Sequence, residues 1–338
     1  MKKVMGKKSV VRIFVLLAVF LLGGVSGWFI GSAPERNEPE ESKGYLIRQG
    51  GYRLINPLLE CEIAEDTIRS RELSPFKAKT EKLIAAVKKD KRATSVSVYF
   101  RDLNSGATFN INANEGYSPA SLSKLPVLIA YLRMAEKEPH ILGKKIEFEG
   151  NDDWGEMQNI KPEKVIEKGK SYAIEDLLYR MMAYSDNNAW GLLFNRVGVD
   201  YLDKILADLG VDYDKAKEED FVTVKSYARF LRILYNASYL SKEMSEKALQ
   251  YLTVVDFTKG LVAGVPKDVM VASKFGERTL GPNREIKQLH DFGIIYYPNR
   301  PYLLCLMTRG DDFEKLAGVI RDVSRLVYEE IDRQVKSH

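Results

Sequence analysis

The chain has 338 residues, 45% of them apolar, enough for a sizeable core and too many for a disordered chain. Its formal charge of +4 is set by five early positives, Lys2, Lys3, Lys7, Lys8 and Arg12, without which it falls to −1; the pI of 8.7 is thus a tail effect and implies no nucleic-acid surface. His140, His290, His338, Cys61 and Cys305 lie too far apart for a zinc-ligand spacing and the glycine fingerprints of nucleotide sites are missing, so no metal and no cofactor is expected.

Behind the basic tail 1–12, residues 13–31 are uncharged, and at 19 residues they approach the ~20 that a helix needs to cross a bilayer. The positives ahead of this stretch keep the N-terminus in the cytoplasm and export the remainder of the chain. The expectation is a single-pass protein of the cell membrane, held by a transmembrane or signal-anchor helix with its folded part extracytoplasmic. Val25-Ser26-Gly27 offers a cleavage site, but an uncleaved anchor is favoured. Residues 32–51, rich in Pro, Glu, Ser and Gly, read as a linker, and 52–338 as the folded domain.

In that domain Ser74 to Lys89 has helical spacing, Thr94 to Phe100 alternates as a strand, and a second strand runs from Ala107 to Ile111. Apolar residues then recur at helical spacing in Leu125–Met134, Ile174–Tyr184, Ala189–Val197, Tyr201–Leu209, Val224–Leu234 and Lys242–Leu252. Extended chain returns in Val269–Lys274, Gly293–Tyr297 and Leu303–Thr308, ahead of an amphipathic helix from Phe313 to about Arg333. The order predicts an α+β fold: an antiparallel sheet flanked by terminal helices, with an all-helical lobe inserted.

A Ser-x-x-Lys on a helix puts the amine one turn after the hydroxyl, where it can take the hydroxyl proton without a histidine. Two copies occur. Ser74-Pro75-Phe76-Lys77 reads as an ordinary cap ahead of a proline. Ser121-Leu122-Ser123-Lys124 instead opens the apolar run Leu125 to Ala130, so Lys124 sits at the mouth of a buried helix, where desolvation lowers its pKa. Ser185-Asp186-Asn187 lies in a turn between two helices, and Lys274-Phe275-Gly276 ends a strand, placing a cation beside a glycine that admits a close approach.

With these three motifs in this order, the chain resembles the class A β-lactamases and penicillin-binding D,D-peptidases over about residues 75 to 333; their set is S-x-x-K, S-D-N and K-T-G. Tyr117-Ser118-Pro119-Ala120 and Phe292-Gly293-Ile294-Ile295 look like the flanking strands of that family. The resemblance implies Ser121 as nucleophile and Lys124 as its proton acceptor. Ser185 would pass the proton to the leaving nitrogen, Asn187 would hold a substrate amide, and Lys274, beside Gly276, would bind the substrate carboxylate. The backbone N–H groups of Ser121 and Glu277 would form the oxyanion hole. It also brings early and late segments together in an oxidising compartment, leaving open either a Cys61–Cys305 disulfide or two buried free thiols.

Three departures stand out. Phe275 replaces the hydroxyl residue that helps hold the carboxylate, and Phe292 lies where an arginine usually supports it. Between Asn187 and Lys274 no Glu-x-x-x-Asn occurs to carry the base for deacylation; Glu218, Glu219 and Asp220 are the acids in the loop left for it. The expected function is a serine hydrolase that forms an acyl-enzyme at Ser121 with a β-lactam or a D-alanine-type amide and releases it slowly. The alternatives are a D,D-peptidase acting on peptidoglycan stem peptides and a pseudoenzyme kept as a wall-binding module. No nucleic-acid partner is expected, and the membrane is a partner only through residues 13–31.

Overall fold

The period-two alternation read from the strands gives a sheet with two apolar faces, and each face needs its own cover. The computed structural model describes residues 46–61, 69–151, 153–211 and 220–337. The predicted membrane helix 13–31 lies outside the described residues, and no helix among those described is long and apolar enough to cross a membrane.

A short hairpin, β1 (Leu46–Arg48) and β2 (Leu58–Cys61), precedes helix α1 (Arg69–Lys89) and strands β3 (Ser95–Asp102) and β4 (Thr108–Ile111). Helix α2 (Lys124–Ala135) opens the inserted lobe, and a small ladder of β5 (Lys145–Glu147) and β6 (Ser171–Ala173) comes after it. The lobe continues through α3 (Ile174–Ala183), α4 (Asn187–Val197), α5 (Val199–Asp208), α6 (Val224–Asn236) and α7 (Lys242–Leu252). Strands β7 (Val271–Leu280), β8 (Ile286–Ile295) and β9 (Tyr302–Gly310) then complete the sheet, and helix α8 (Phe313–Lys336) ends the chain.

The sheet is antiparallel throughout, in the order β4-β3-β9-β8-β7, so the last strand in sequence pairs with the first long one and β7 is an edge. One face, with Val96, Val98, Phe100, Leu304 and Leu306, packs on Phe76 of α1 and Ile320 and Val323 of α8. The other, with Tyr99, Phe292, Leu303, Cys305 and Met307, packs on the helical lobe. Cys305 is a buried free thiol in that second core, not half of a disulfide.

Several boundaries differ from the sequence expectation, for physical reasons. Helix α1 begins before Ser74, which is exposed within it and caps nothing; buried Leu73 and Phe76 on either side hold the turn that Pro75 would otherwise break. Strand β8 starts well before Gly293, because buried Gln288, His290 and Asp291 hide its apolar pattern, and β7 runs on through Lys274-Phe275-Gly276 instead of stopping there. Tyr117 makes one antiparallel bridge with Val222 where a flanking strand was expected.

Phe76 is fully buried, with its ring edge-on to Phe100 and to Phe109 at 4.9 Å each. Phe76→Ala is expected to cost about 3 to 5 kcal/mol in urea unfolding, the range for a large aromatic removed from a core that cannot collapse.

Candidate active site

The site is assembled from three places that the fold brings to the free edge of β7. The first is a tight turn, Ala120–Ser123, that feeds straight into α2. Ala120 has a left-handed backbone (φ 48°), which turns the chain so that Ser121 is half-exposed while Leu122 and Lys124 are buried. The apolar run after Lys124 seats α2 in the lobe core, and the lysine is carried in with it, 1% exposed.

The second is the α3–α4 turn, where Ser185, also left-handed (φ 55°), is 1% exposed. Asp186 is the N-cap of α4, accepting from the backbone N–H groups of Asn188 at 2.8 Å and Ala189 at 3.2 Å, and from that of Ile166 at 2.8 Å. Asp186 builds the turn, and Ser185 and Asn187 face Lys124.

The third is β7. Its ladder with β8 pairs Met270 with Tyr296 through a backbone hydrogen bond, and with the antiparallel alternation the even-numbered residues of β7 face β8 while Phe275 and Glu277 turn their N–H and C=O groups to the open edge. Gly276 is needed here: a Cβ on it would lie 3.0 Å from Ser121 N and 3.1 Å from Leu122 N. This close approach lays the Gly276 stretch of β7 against the Ser121 turn, and Glu277, the next residue, lines the same cleft as Ser121.

The three pieces converge on two ammonium groups. Lys124 Nζ lies 2.9 Å from Ser121 Oγ, 3.1 Å from Ser185 Oγ, 2.8 Å from the Ser185 carbonyl and 2.6 Å from Asn187 Oδ1. In its neutral form the amine can donate to the Ser185 carbonyl and Asn187 Oδ1 and accept from the Ser121 hydroxyl. Burial, and then the charge of Lys274, push the Lys124 pKa well below its ordinary value. Lys274, with no exposed surface, donates to Ser185 Oγ and to the Phe275 carbonyl at 2.9 Å each, and burial lowers its pKa to about 7 against the opposing pull of Asp256, Asp291 and Glu277.

All seven predicted residues meet here, but not all in the expected roles. Asn187 spends both ends of its amide, on Lys124 and on the Trp154 carbonyl at 3.1 Å. The Phe275 ring stacks on Phe257 (4.4 Å, 23°) and its centroid lies 4.4 Å from Lys274 Nζ, covering the ammonium. Phe292 is core. Of the three loop acids, Asp220 is held by Arg309 at 2.7 Å and Gln288 at 2.6 Å, while Glu218 and Glu219 lie outside the described residues. Among the described residues no group of His, Cys, Asp or Glu could hold a metal.

Sequence reasoning missed the segment from Trp154 to Pro162. The Glu277 carboxylate accepts from the Asn159 backbone at 2.6 Å, the Asn159 side-chain amide at 2.6 Å and the Ile160 backbone at 3.2 Å, and Gln158 donates to the Ser185 carbonyl at 3.0 Å. A tryptophan and a proline bounding a polar stretch without period was the only signal available. A cleft of about 330 Å3 remains open at Ser121, lined by Lys124, Asn187, Trp190, Glu277 and Arg284 among others.

A serine and a buried lysine on a helix, faced by a serine from an inter-helix turn and closed by a sheet edge, define the serine acyl-transfer class of α+β proteins. The family model described as "Beta-lactamase enzyme family" matches residues 77–331, and the chain belongs to that family. Among solved structures it is similar to a PBP-A mutant in an acyl-enzyme complex with penicillin G, with a TM-score of 0.63, 20% identity and coverage of 75% of this chain and 96% of that one. A class A β-lactamase from Mycobacterium abscessus gives 0.63, 22%, 75% and 99% on the same measures. A β-lactamase from Sphaerobacter thermophilus gives 0.63, 22%, 73% and 96%. At these identities the structural likeness establishes the fold; no curated protein sequence matches.

The two depressed lysines give a test that needs no substrate. An unfolded lysine keeps its proton to about 10.4, so between pH 7 and pH 10 the unfolded chain binds more protons than the native one, and stability rises with pH across that window. Lysine side-chain NMR is expected to show Lys274 titrating near 7. Lys274→Met should raise the Lys124 pKa by removing the neighbouring charge, and should flatten the rise of Tm with pH; a Lys124 that titrates as an ordinary lysine in both proteins would contradict the assignment.

Proposed function

We propose that the protein is a serine hydrolase that forms an acyl-enzyme at Ser121 with β-lactams or D-alanine-type amides and releases it slowly. The observation that carries this reading is the dehydrated Lys124 amine, within hydrogen-bond reach of both the Ser121 and the Ser185 hydroxyls. Lys124 takes the Ser121 proton as Oγ attacks the carbonyl carbon. The Ser121 and Glu277 N–H groups stabilise the oxyanion, and the proton passes through Ser185 to the leaving nitrogen as the C–N bond breaks.

Release requires a base that holds a water against the ester. The chain lacks the Glu-x-x-x-Asn of class A enzymes in the loop region, and Asp220 is committed to Arg309 and Gln288, which supports slow deacylation. The uncharged stretch 13–31 behind five positives supports an anchored protein with its site outside the membrane, where β-lactams and peptidoglycan stems are met.

A second reading, a D,D-peptidase on stem peptides, is favoured by the same missing base, since acylation needs only groups present here. The third, a wall-binding module without turnover, is favoured by the ring over Lys274. Intact-mass analysis after a penicillin-type probe separates the two acylating readings, which leave a persistent adduct, from the wall-binding module, which takes no label. The expected result is a persistent adduct, abolished by Ser121→Ala, unaffected by Ser74→Ala and formed at least ~10²-fold more slowly in Lys124→Ala. Labelling that survives Ser121→Ala, or hydrolysis near the enzyme median of about 10 s⁻¹, would overturn the reading.

A further inference from the structure

The part of the site that a substrate carboxylate would enter is already occupied. One end of the 154–162 segment is held at the mouth of α4, where Asn187 Nδ2 donates to the Trp154 carbonyl, and the backbone N–H of Trp154 donates to Asn188 Oδ1 at 2.8 Å. The other end is held on the edge of β7 by the three bonds to the Glu277 carboxylate, with Asn159 Oδ1 also accepting from Thr279 Oγ1 at 3.1 Å and Arg284 at 3.3 Å. Between these anchors Gln158 bonds the Ser185 carbonyl, so the segment runs as a strap from α4 to the edge of β7 past Ser185, whose hydroxyl accepts from the fully buried Lys274.

Charge points the same way. Lys274 Nζ gives hydrogen bonds to Ser185 Oγ and the Phe275 carbonyl and has the Phe275 ring against it, so its directions are taken. Asp256, Asp291 and Glu277 all act on Lys274 and offset the positive charge that would draw an anion to it. Ser121 stays open in its own cleft on the Trp190 and Arg284 side. The acylation geometry is therefore intact while the anion subsite beside the leaving group is closed.

Resting on the acyl-enzyme reading, we infer that the strap takes the place of the substrate carboxylate, and that Ser121 is acylated faster by donors whose leaving group carries no negative charge (neutral amides, esters or lactams) than by their carboxylate-bearing counterparts. The step is unchanged in its balance. Ser121 Oγ bonds to the carbonyl carbon, the bond to the leaving nitrogen or oxygen breaks, and the Ser121 proton ends on that leaving atom by way of Lys124 and Ser185. Glu277 is thereby a specificity-determining residue through its side chain, separately from its backbone N–H.

The test uses one penicillin as its free acid and as its neutral methyl ester, with labelling of the full chain followed by intact mass and the labelled residue located by peptide mapping. The wild-type protein is expected to label at Ser121 at least tenfold faster with the ester. Glu277→Ala, and independently Asn159→Ala, should bring the two rates to within about threefold by speeding the acid, with the Asn159 and Ile160 amides exchanging faster in Glu277→Ala. Equal or faster labelling by the free acid in the wild type overturns the inference and leaves the acyl-enzyme reading standing. An ester preference that survives in both variants despite loosened amides also overturns the role of the strap. Absence of Ser121 label from either compound in every protein overturns both readings.

Discussion

A primary amine placed where water cannot reach it is the constraint around which this molecule is organised. An ammonium removed from water costs several kcal/mol unless it is paired or gives up its proton. Lys124 has no carboxylate in contact; its neighbours are two hydroxyls, one carbonyl and one amide oxygen, all neutral. Such a shell satisfies the N–H groups of an amine without fixing a charge on it. The left-handed backbone at Ser185 and the Asp186 cap that builds its turn are what bring three of those oxygens to one point; the strained backbone is a structural cost that the cap helps to offset.

The sheet supplies the other half of that constraint. Because its last strands in sequence return to pair with β3, β7 is left as the edge opposite β4, and the lobe inserted between β4 and β7 lies against the face that carries Lys274. Alternation along β7 then separates the two sides: Lys274 is turned toward the lobe, and Phe275 packs into the opposite core and stacks on Phe257. A hydroxyl at position 275 would have no such core to join. The substitution that disturbs the expected motif is thus tied to the packing of the sheet's far face, through a ring that also closes over the ammonium.

How much of this could be read from the sequence depends on the range of the interactions. Local signals were sufficient for the lobe helices, whose apolar period is strong, and for Ser121 and Lys124, which a buried helix places one turn apart. Ser185 and Asn187 were legible through their tripeptide, although only the structure divides its labour between capping and facing the amine. The start of β8 was hidden because Gln288, His290 and Asp291 are buried polar residues whose partners, such as the Ser118 backbone for Gln288 and His290, are far away in sequence. The strap was hidden for the same reason: its bonds to Glu277 and Ser185 join segments with no common period or motif. Propensity speaks for neighbours along the chain, and these contacts are between strangers.

The two buried lysines are best understood as one titrating unit. Both lie within hydrogen-bond distance of the Ser185 hydroxyl oxygen, so a full charge on one raises the cost of charge on the other. The acids are not shared evenly: Asp256 and Asp291 act on Lys274, Asp186 on Lys124 and Glu277 on both, and burial raises the Asp291 pKa to about 7, close to that of Lys274 itself. The positive charge of the unit is therefore drawn to the Lys274 side, and burial together with that charge holds the Lys124 pKa well below its ordinary value beside the Ser121 hydroxyl. Placing the cation away from the nucleophile, with a hydroxyl between the two amines, gives a base on one side of Ser185 and a proton source on the other. In that arrangement Lys274 contributes by setting the protonation state of Lys124, and it can do so with no substrate anion in contact with it.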